Sequence, residues 1–276
     1  MKQADHIHLR CPGNIGLLGC LVQIFFSNKL KTAKYAGNWD PNSKQPWSYN
    51  LQKWIISNSF LTRNCKVLVY GKWENQSKNI IPFFTASYSE KEKKILLEKK
   101  TDRKIKLIFV GTFSKGKQPL KSVKVAEELL NRGFNVKLNM YGNGEEFQET
   151  KKYIIEKKLS KKIILHGNQT REIIKKAYQE SHFLIFISKS EGWPKVLAEA
   201  MFWSCLPIST KISCVPEMLG NGERGVLVSE NVEEIVEKIT LLINSPRVFA
   251  EKVRNASDWS QNYTLETFEN AISKVL

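Results

Sequence analysis

From Lys106 onward the chain keeps one rhythm, and that rhythm leaves few folds open to it. Short unbroken apolar runs alternate with segments of helical spacing. KLIFVG (106–111) precedes a helix near 118–132, and NVKLNMYG (135–142) precedes one near 145–158. IILHG (163–167) precedes a helix near 170–180, and HFLIFIS (182–188) one near 195–203. LPIST (206–210) and RGVLVS (224–229) follow, the latter before a helix near 231–244. Runs that are apolar throughout, rather than at alternate positions, suit strands covered by helices on both faces. The pattern predicts an α/β fold built on a doubly wound parallel sheet.

The first 85 residues read as a shorter α/β piece. HIHLR (6–10), a helix near 14–26, KTAKYAG (31–37), a helix near 48–60, KVLVYG (66–71) and NIIPFF (79–84) are its elements. Three strands and two helices are thin for an independent domain of this type. The charged run 89–104 is the expected connection, and YTLETFENAISKVL (263–276) spaces Leu265, Phe268, Ile272 and Leu276 as one helical face.

Composition narrows the partners. The chain has 276 residues, 42% hydrophobic and 25% charged, as a globular protein does. A net charge of +16 admits nucleic acid, an anionic membrane face or a phosphorylated small molecule. Most of the lysine pairs read as solvated helix faces. No RNA- or zinc-finger-type pattern accompanies the charge, so nucleic acid is not the expected partner. Five cysteines without CxxC spacing argue against a disulfide framework or zinc site and fit a reducing cytoplasm. The apolar stretch 15–26 is too short to span a bilayer, and Asp5, His6, His8 and Arg10 before it make a poor signal peptide.

In a sheet of this type ligands sit beyond the carboxyl ends of the strands. Three loops there carry candidate residues. SKSEGWPKVLAEAM (188–201) places Glu191 in a loop and Glu199 eight positions on, inside a helix. Gly192 permits a tight turn, Pro194 suits a helix start, and the amides that follow favour an anion such as a diphosphate. The carboxylates could accept hydrogen bonds from sugar hydroxyls; ordinary surface glutamates would read the same way. VGTFSKGKQPL (110–120) offers Gly111, Lys115 and Lys117, either as phosphate ligands or as one more lysine-rich surface loop. YGNGEEF (141–147) has Gly142 and Gly144 but Phe147 where a dinucleotide fingerprint needs glycine. His166-Gly167 closes the next strand. Walker A, G-x-S-x-G and DxD motifs are all missing, so no divalent-metal carboxylate site is expected.

Together these residues resemble the C-terminal half of a family 4 (group 1) retaining glycosyltransferase of GT-B fold. The likeness rests on the E-x7-E of Glu191 and Glu199 followed by LPIST, on VGTFSKGK, and on the distal run 215–243. It covers roughly residues 104–276. The resemblance implies a nucleotide-diphosphate sugar as donor, with no cofactor and no metal. It places Glu199 on the ribose and Glu191, as the catalytic candidate, facing the donor sugar. The amides of Gly192, Trp193, Pro194, Lys195 and Val196 fall against sugar and diphosphate. Gly111, Lys115 and Lys117 complete the diphosphate site, and Gly142, His166 and Gly167 lie near the base. On the acceptor side the candidates are Arg10, Asn38 and Trp39. Two departures stand out: Thr112 where the family has arginine, and Ser204 where a glycine is expected.

The resemblance also implies three regions. Residues 1–88 form the end of an acceptor-side domain that lacks its first strand–loop–helix units. Residues 104–245 form the nucleotide-sugar domain, and residues 246–276 form helices packing back toward the first. The expected activity is retaining transfer to a saccharide or lipid-linked acceptor of a surface polysaccharide or glycolipid. The location is the cytoplasm, with peripheral contact to an anionic membrane face. The alternative is a truncated chain that binds a nucleotide or nucleotide sugar without transferring.

Overall fold

Strand β1 (His6–Cys11) alternates: Ile7, Leu9 and Cys11 are buried while His8 and Arg10 are exposed. A period of two means that one sheet face is covered and the other is wet. The computed structural model describes residues 1–94, 99–101 and 104–276. It divides the chain into two units: Met1–Ala86 with Ser190–Trp193 and Leu265–Leu276, and Ser87–Lys189 with Pro194–Thr264.

In the first unit β1 is followed by helix α1 (Asn14–Val22), β2 (Leu30–Tyr35), α2 (Trp47–Ser57), β3 (Cys65–Tyr70) and β4 (Ile80–Phe83). The four strands are parallel and lie in chain order, β1-β2-β3-β4. The core gathers Ile7, Leu9, Ala33, Tyr35, Val67 and Val69 from the strands with Cys20, Ile55 and Ile56 from α1 and α2. No helix separates β3 from β4; a turn region carries the chain across.

The second unit runs β5 (Ile105–Val110), α3 (Pro119–Asn131), β6 (Val136–Tyr141), α4 (Phe147–Glu156), β7 (Ile163–Gly167) and α5 (Arg171–Glu180). It continues with β8 (Phe183–Phe186), α6 (Lys195–Phe202), β9 (Leu206–Thr210), α7 (Val215–Met218), β10 (Val226–Val228), α8 (Val232–Ile243) and α9 (Pro246–Ser260). Its six parallel strands take the order β10-β9-β8-β5-β6-β7. Every residue of β8 and β9 is buried, as the unbroken apolar runs predicted. Helix α3 packs with α4 and α8, and α6 packs with α5 and α9, making two helical layers about one sheet. The order reverses between β5 and β8, the switch point of the sheet.

Two expectations about boundaries change. Of the charged run 89–104, the described residues 89–94, 99–101 and 104 cluster with the second unit, and 95–98 and 102–103 lie outside the described residues. Residues 246–276 do not act as one block. Helix α9 belongs to the second unit, because Phe249 is buried edge-on against Phe183 and its layer-mate is α6. Only α10 (Leu265–Ser273) clusters with the first unit, where Phe268 meets Phe83 and Phe84.

Candidate functional site

The backbone ladder of the second sheet continues past the strands. The Gly111 amide donates to the Tyr141 carbonyl at 3.0 Å and the Gly142 amide to the Gly167 carbonyl at 2.8 Å. One turn further out, the Phe113 amide donates to the Asn143 carbonyl at 3.0 Å. Three strand ends are thereby drawn backbone to backbone, and at Gly142 the approach is too close for any side chain. A Cβ on Gly142 would stand 1.9 Å from the Gly111 oxygen, and its φ of +123° is one that other residues rarely adopt. Over this shelf opens a cavity of about 340 Å3, walled by Gly111, Thr112, Tyr141, Gly142, Asn143, Asn168, Gln169 and Ile174. A site of this kind presents amide hydrogens and carboxamides to a ligand.

Of the expected base-proximal residues, Gly142 lines this cavity. His166 turns its ring onto Tyr141 instead, stacked at 4.5 Å and 7°, with Nε2 3.0 Å from Asn139 Oδ1. Burial, and then the Lys137 charge, hold its pKa below the ordinary value. Next to Gly167, Asn168 and Gln169 supply the wall. Sequence reasoning passed over Asn143 and Asn168. The signal was there: both strand ends read Gly-Asn, at 142–143 and 167–168.

The lysine loop after β5 is tied to the end of β8, its neighbour across the switch point. The Lys189 amide donates to the Gly116 carbonyl at 2.9 Å, and Gln118 Nε2 reaches the Ile187 carbonyl at 3.4 Å. Gln118 accepts a left-handed conformation, φ 49°, to start α3 at Pro119. Lys117 Nζ lies 5.2 Å above the Phe186 ring, so this cation sits at the carboxyl end of β8. The Lys115 amide donates to Glu145 Oε1 at 3.4 Å.

Helix α6 begins after Pro194, which caps it rather than entering its first turn. The amides of Lys195 and Val196 stand among the four at a helix start that lack an intrahelical acceptor. Glu199 follows in the second turn. Its Oε1 accepts from Ser87 Oγ at 2.6 Å and its Oε2 faces the hydroxyl of fully buried Tyr178 at 3.5 Å. A carboxylate has about four acceptor sites, so these two bonds orient Glu199 and leave it room for a ligand hydroxyl. Burial drives the Tyr178 phenol well above its usual pKa, and the Glu199 charge adds to that. Tyr178 therefore stays a donor toward Glu199.

The residues around Ser87 are themselves pinned. Arg171 donates to the Ser87 carbonyl at 2.6 Å and to Glu92 at 2.8 Å, and Lys175 donates to Glu92 at 2.7 Å. Lys99 Nζ donates to the carbonyls of Tyr178, Ser181 and Trp203, at the ends of α5 and α6, and burial pushes its pKa down to about 8. Ser204, in place of a glycine, adopts φ +61° just past α6.

Glu191, Gly192 and Trp193 cluster with the first unit. There Gly192 lies against residues 36–37: a Cβ on it would meet the Ala36 oxygen at 2.6 Å. Asn38 Nδ2 donates to Ser190 Oγ at 3.4 Å, and Trp193 approaches Tyr70 at 5.9 Å. Asn38 is thus beside this loop, whereas Trp39 is a core residue. Its ring is buried edge-on against Tyr35 at 4.9 Å and its Nε1 donates to Gln76. Arg10 is exposed on the wet face of β1. Among the described residues no group of three or more His, Cys, Asp or Glu side chains gathers as a metal site.

Residues 89–262 match the family described as glycosyl transferases group 1. The chain belongs to that family. An uncharacterized glycosyltransferase of Methanocaldococcus jannaschii is 27% identical over 170 residues, 61% of this chain and 46% of that protein. The chain spans about half the length of the curated relatives it matches. Among solved structures, Anabaena HepE in complex with UDP superposes with a TM-score of 0.75 at 13% identity, over 97% of this chain and 77% of that one. S. aureus TarM superposes with a TM-score of 0.72 at 19% identity, over 98% and 54%. These likenesses establish a GT-B type α/β fold.

Proposed function

We propose that this group 1 glycosyltransferase takes a nucleotide-diphosphate sugar in the switch-point crevice of its second unit and transfers the sugar, with retention, to a saccharide or lipid-linked acceptor. The observation that carries the reading is the glycine shelf of Gly111 and Gly142 beneath the carboxamides of Asn143, Asn168 and Gln169. Such a wall suits a planar polar base and the ribose beside it. Glu199, held by Ser87 and Tyr178, accepts from the ribose hydroxyls. The amides opening α6 and the Lys117 ammonium meet the diphosphate. When the bond between the anomeric carbon and the diphosphate breaks, negative charge grows on the departing phosphate oxygen. Fixed donors aimed at that oxygen supply the largest share of stabilisation in such reactions. The place of Glu191 at the donor sugar rests on the E-x7-E spacing alone.

A second reading, donor binding without transfer, is favoured by the acceptor-side residues: Trp39 is in the core and Arg10 stands on an open face. Calorimetric titration with UDP, GDP and ADP tests the shared part. One of them should bind, and Glu199→Ala or Lys117→Ala should weaken it about tenfold or more, the scale of one charge-assisted bond. Failure of all three to bind would sink both readings. Turnover of the matching sugar nucleotide with added acceptor then separates transfer from binding alone.

A further inference from the structure

The amino ends of the first sheet enclose a cavity of their own. Strands β1, β2 and β3 run parallel, so His6, Leu30, Lys31, Cys65 and Lys66, which open them, share one edge. With the segment between α2 and β3 and the turn before β4 they line a hollow of about 420 Å3. Open α/β sheets do their chemistry beyond the carboxyl ends of the strands, so a cavity at the amino ends is a different kind of site. Its walls are fixed from within. Thr62 Oγ1 donates to the Ile55 carbonyl at 2.7 Å, Asn79 Nδ2 to the Ile56 carbonyl at 2.8 Å and Asn64 Nδ2 to the Ser27 carbonyl at 3.0 Å.

Lysine sets the chemistry of this hollow. Lys31, Lys66 and Lys78 line it, and neither Asp, Glu nor Arg is among the described residues that do. Lys31 is only 2% exposed. Its ammonium donates to the Gln23 and Phe26 carbonyls at 3.3 and 3.1 Å, which leaves one of its three protons, and burial holds its pKa below the ordinary value. Lys66 Nζ donates to the Val275 carbonyl at 2.8 Å and has two protons left. Ammonium groups only donate, and three of them around one hollow repel each other until an anion joins them. A lysine acts as a point charge, where arginine would offer a flat fork matched to a carboxylate, so three lysines suit the tetrahedral oxygens of a phosphate. The hollow falls in the size range of small-molecule sites, about 300–1,000 Å3, and Leu30, Val275 and Leu276 give it an apolar side. We infer that this amino-end cavity binds a soluble phosphate monoester, its oxygens on the ammonium groups of Lys31, Lys66 and Lys78 and its organic part against Leu30, Val275 and Leu276. The inference stands apart from the donor reading, since none of these residues lies in the second unit.

Calorimetric titration with phenyl phosphate tests it, with inorganic phosphate and phenol as the two halves of that probe. Phenyl phosphate should bind more tightly than inorganic phosphate, phenol should give no heat, and added salt should weaken the binding because Lys66 and Lys78 are exposed. Lys66→Ala with Lys78→Ala should cut the affinity for phenyl phosphate at least tenfold, the scale of charge-assisted bonds. The same pair should keep a cooperative thermal melt and leave the nucleoside-diphosphate titration unchanged. Lys31→Met should also abolish binding; it strips two carbonyls of their donor, so the exposed pair is the decisive variant. Lys117→Ala, in the second unit, should leave the phenyl phosphate affinity as it was. No binding of phenyl phosphate, or binding that the Lys66 and Lys78 pair leaves intact, would overturn the proposal. So would binding lost in Lys117→Ala, which would put the phosphate in the second unit, or equal affinity for inorganic phosphate, which would leave the organic part no role.

Discussion

The two sheets of this protein are each all-parallel but differ in order, and they carry their cavities differently: the first beside the starts of β1, β2 and β3, the second beyond the ends of β5, β6 and β7. In the first unit the strands lie as β1-β2-β3-β4, each beside its predecessor, so the connections advance one way. In the second the order turns back at β5 and β8. The helices that follow these two strands pack in different layers, and the ends of β5, β6 and β7 line a cavity floored by glycine backbone. Of the donor candidates read from the second half, Gly111 and Gly142 line one cavity, while Glu191, Gly192 and Trp193 cluster with the first unit. Of the candidates read from the first half, Trp39 goes to the core and Arg10 to an open surface. Residues with the right chemistry make a site only where topology gathers them.

The sharpest way to break this comparison is to put a side chain on a strand-end glycine in each unit. Gly142→Ala forces a Cβ into the Gly111 carbonyl at 1.9 Å, at a positive φ. Since the obstacle is backbone, the β5–β6 ladder must open, and about 3–5 kcal/mol of stability should go with it. Gly13→Ala, after β1, meets nothing within 4 Å and should cost only backbone strain, about 1 kcal/mol. Urea denaturation of both variants reads the contrast. Equal costs would mean that the second sheet's strand ends are no more tightly joined than the first's.

How legible this was depends on the range of the forces involved. The strands and most helices were readable because burial on both faces writes an unbroken apolar run into a few consecutive residues, as in HFLIFIS and LPIST. Helix α9 was expected as a helix, but not which unit it joins, because the segment is polar on average and its inward residues, Phe249, Val253, Ala256, Ser257 and Ser260, do not name their partner. The lysine loop and the E-x7-E spacing were legible as chemistry. What they touch was not: Ser87 and Tyr178, which hold Glu199, lie 112 and 21 positions away, and no local pattern records such partners. The cavity walls at Asn143 and Asn168 were visible only as a repeated Gly-Asn whose meaning needed the sheet order.

Acid should separate the two units next. His182, at the start of β8, receives the Lys106 amide on Nδ1 at 3.0 Å, so its Nε2 carries the proton and donates to the Lys100 carbonyl at 3.0 Å. Burial, chiefly, with the Lys99 and Lys106 charges behind it, holds its pKa below the ordinary 6.5, against a smaller opposite pull from the Lys100 carbonyl. The unfolded chain then takes up a proton near 6.5 that the folded chain refuses. The contribution of His182 is therefore full above about pH 6.5 and falls as the pH drops below it. His8 in the first unit is also held below its ordinary value, by partial burial and then by the His6, Lys34 and Arg10 charges, but its exposed side chain is screened by solvent, so the larger effect belongs to the second. A lower melting temperature at pH 5 than at pH 7, with the slope flattened in His182→Asn, is expected. An unflattened slope in the variant would assign the acid sensitivity elsewhere.

The smallest effect concerns Ser204, at a position where the resemblance implies a glycine. Ser204 sits at φ +61° between α6 and β9, in the left-handed region, where a Cβ crowds the following carbonyl. Serine bears that strain at a cost of about 1 kcal/mol, while glycine would avoid it but lose more freedom on folding, by about 0.5–1 kcal/mol. The two terms nearly cancel, so Ser204→Gly should raise the second unit's stability by no more than about 0.5 kcal/mol. That near-cancellation explains how a serine can hold a glycine's place here, where Gly142 tolerates nothing: at Ser204 the obstacle is local strain alone, and at Gly142 it is a neighbouring strand. A chemical melt showing Ser204→Gly more stable by 2 kcal/mol or more would mean that the serine side chain is strained by its neighbours as well, and that this turn, too, is set by packing between strands.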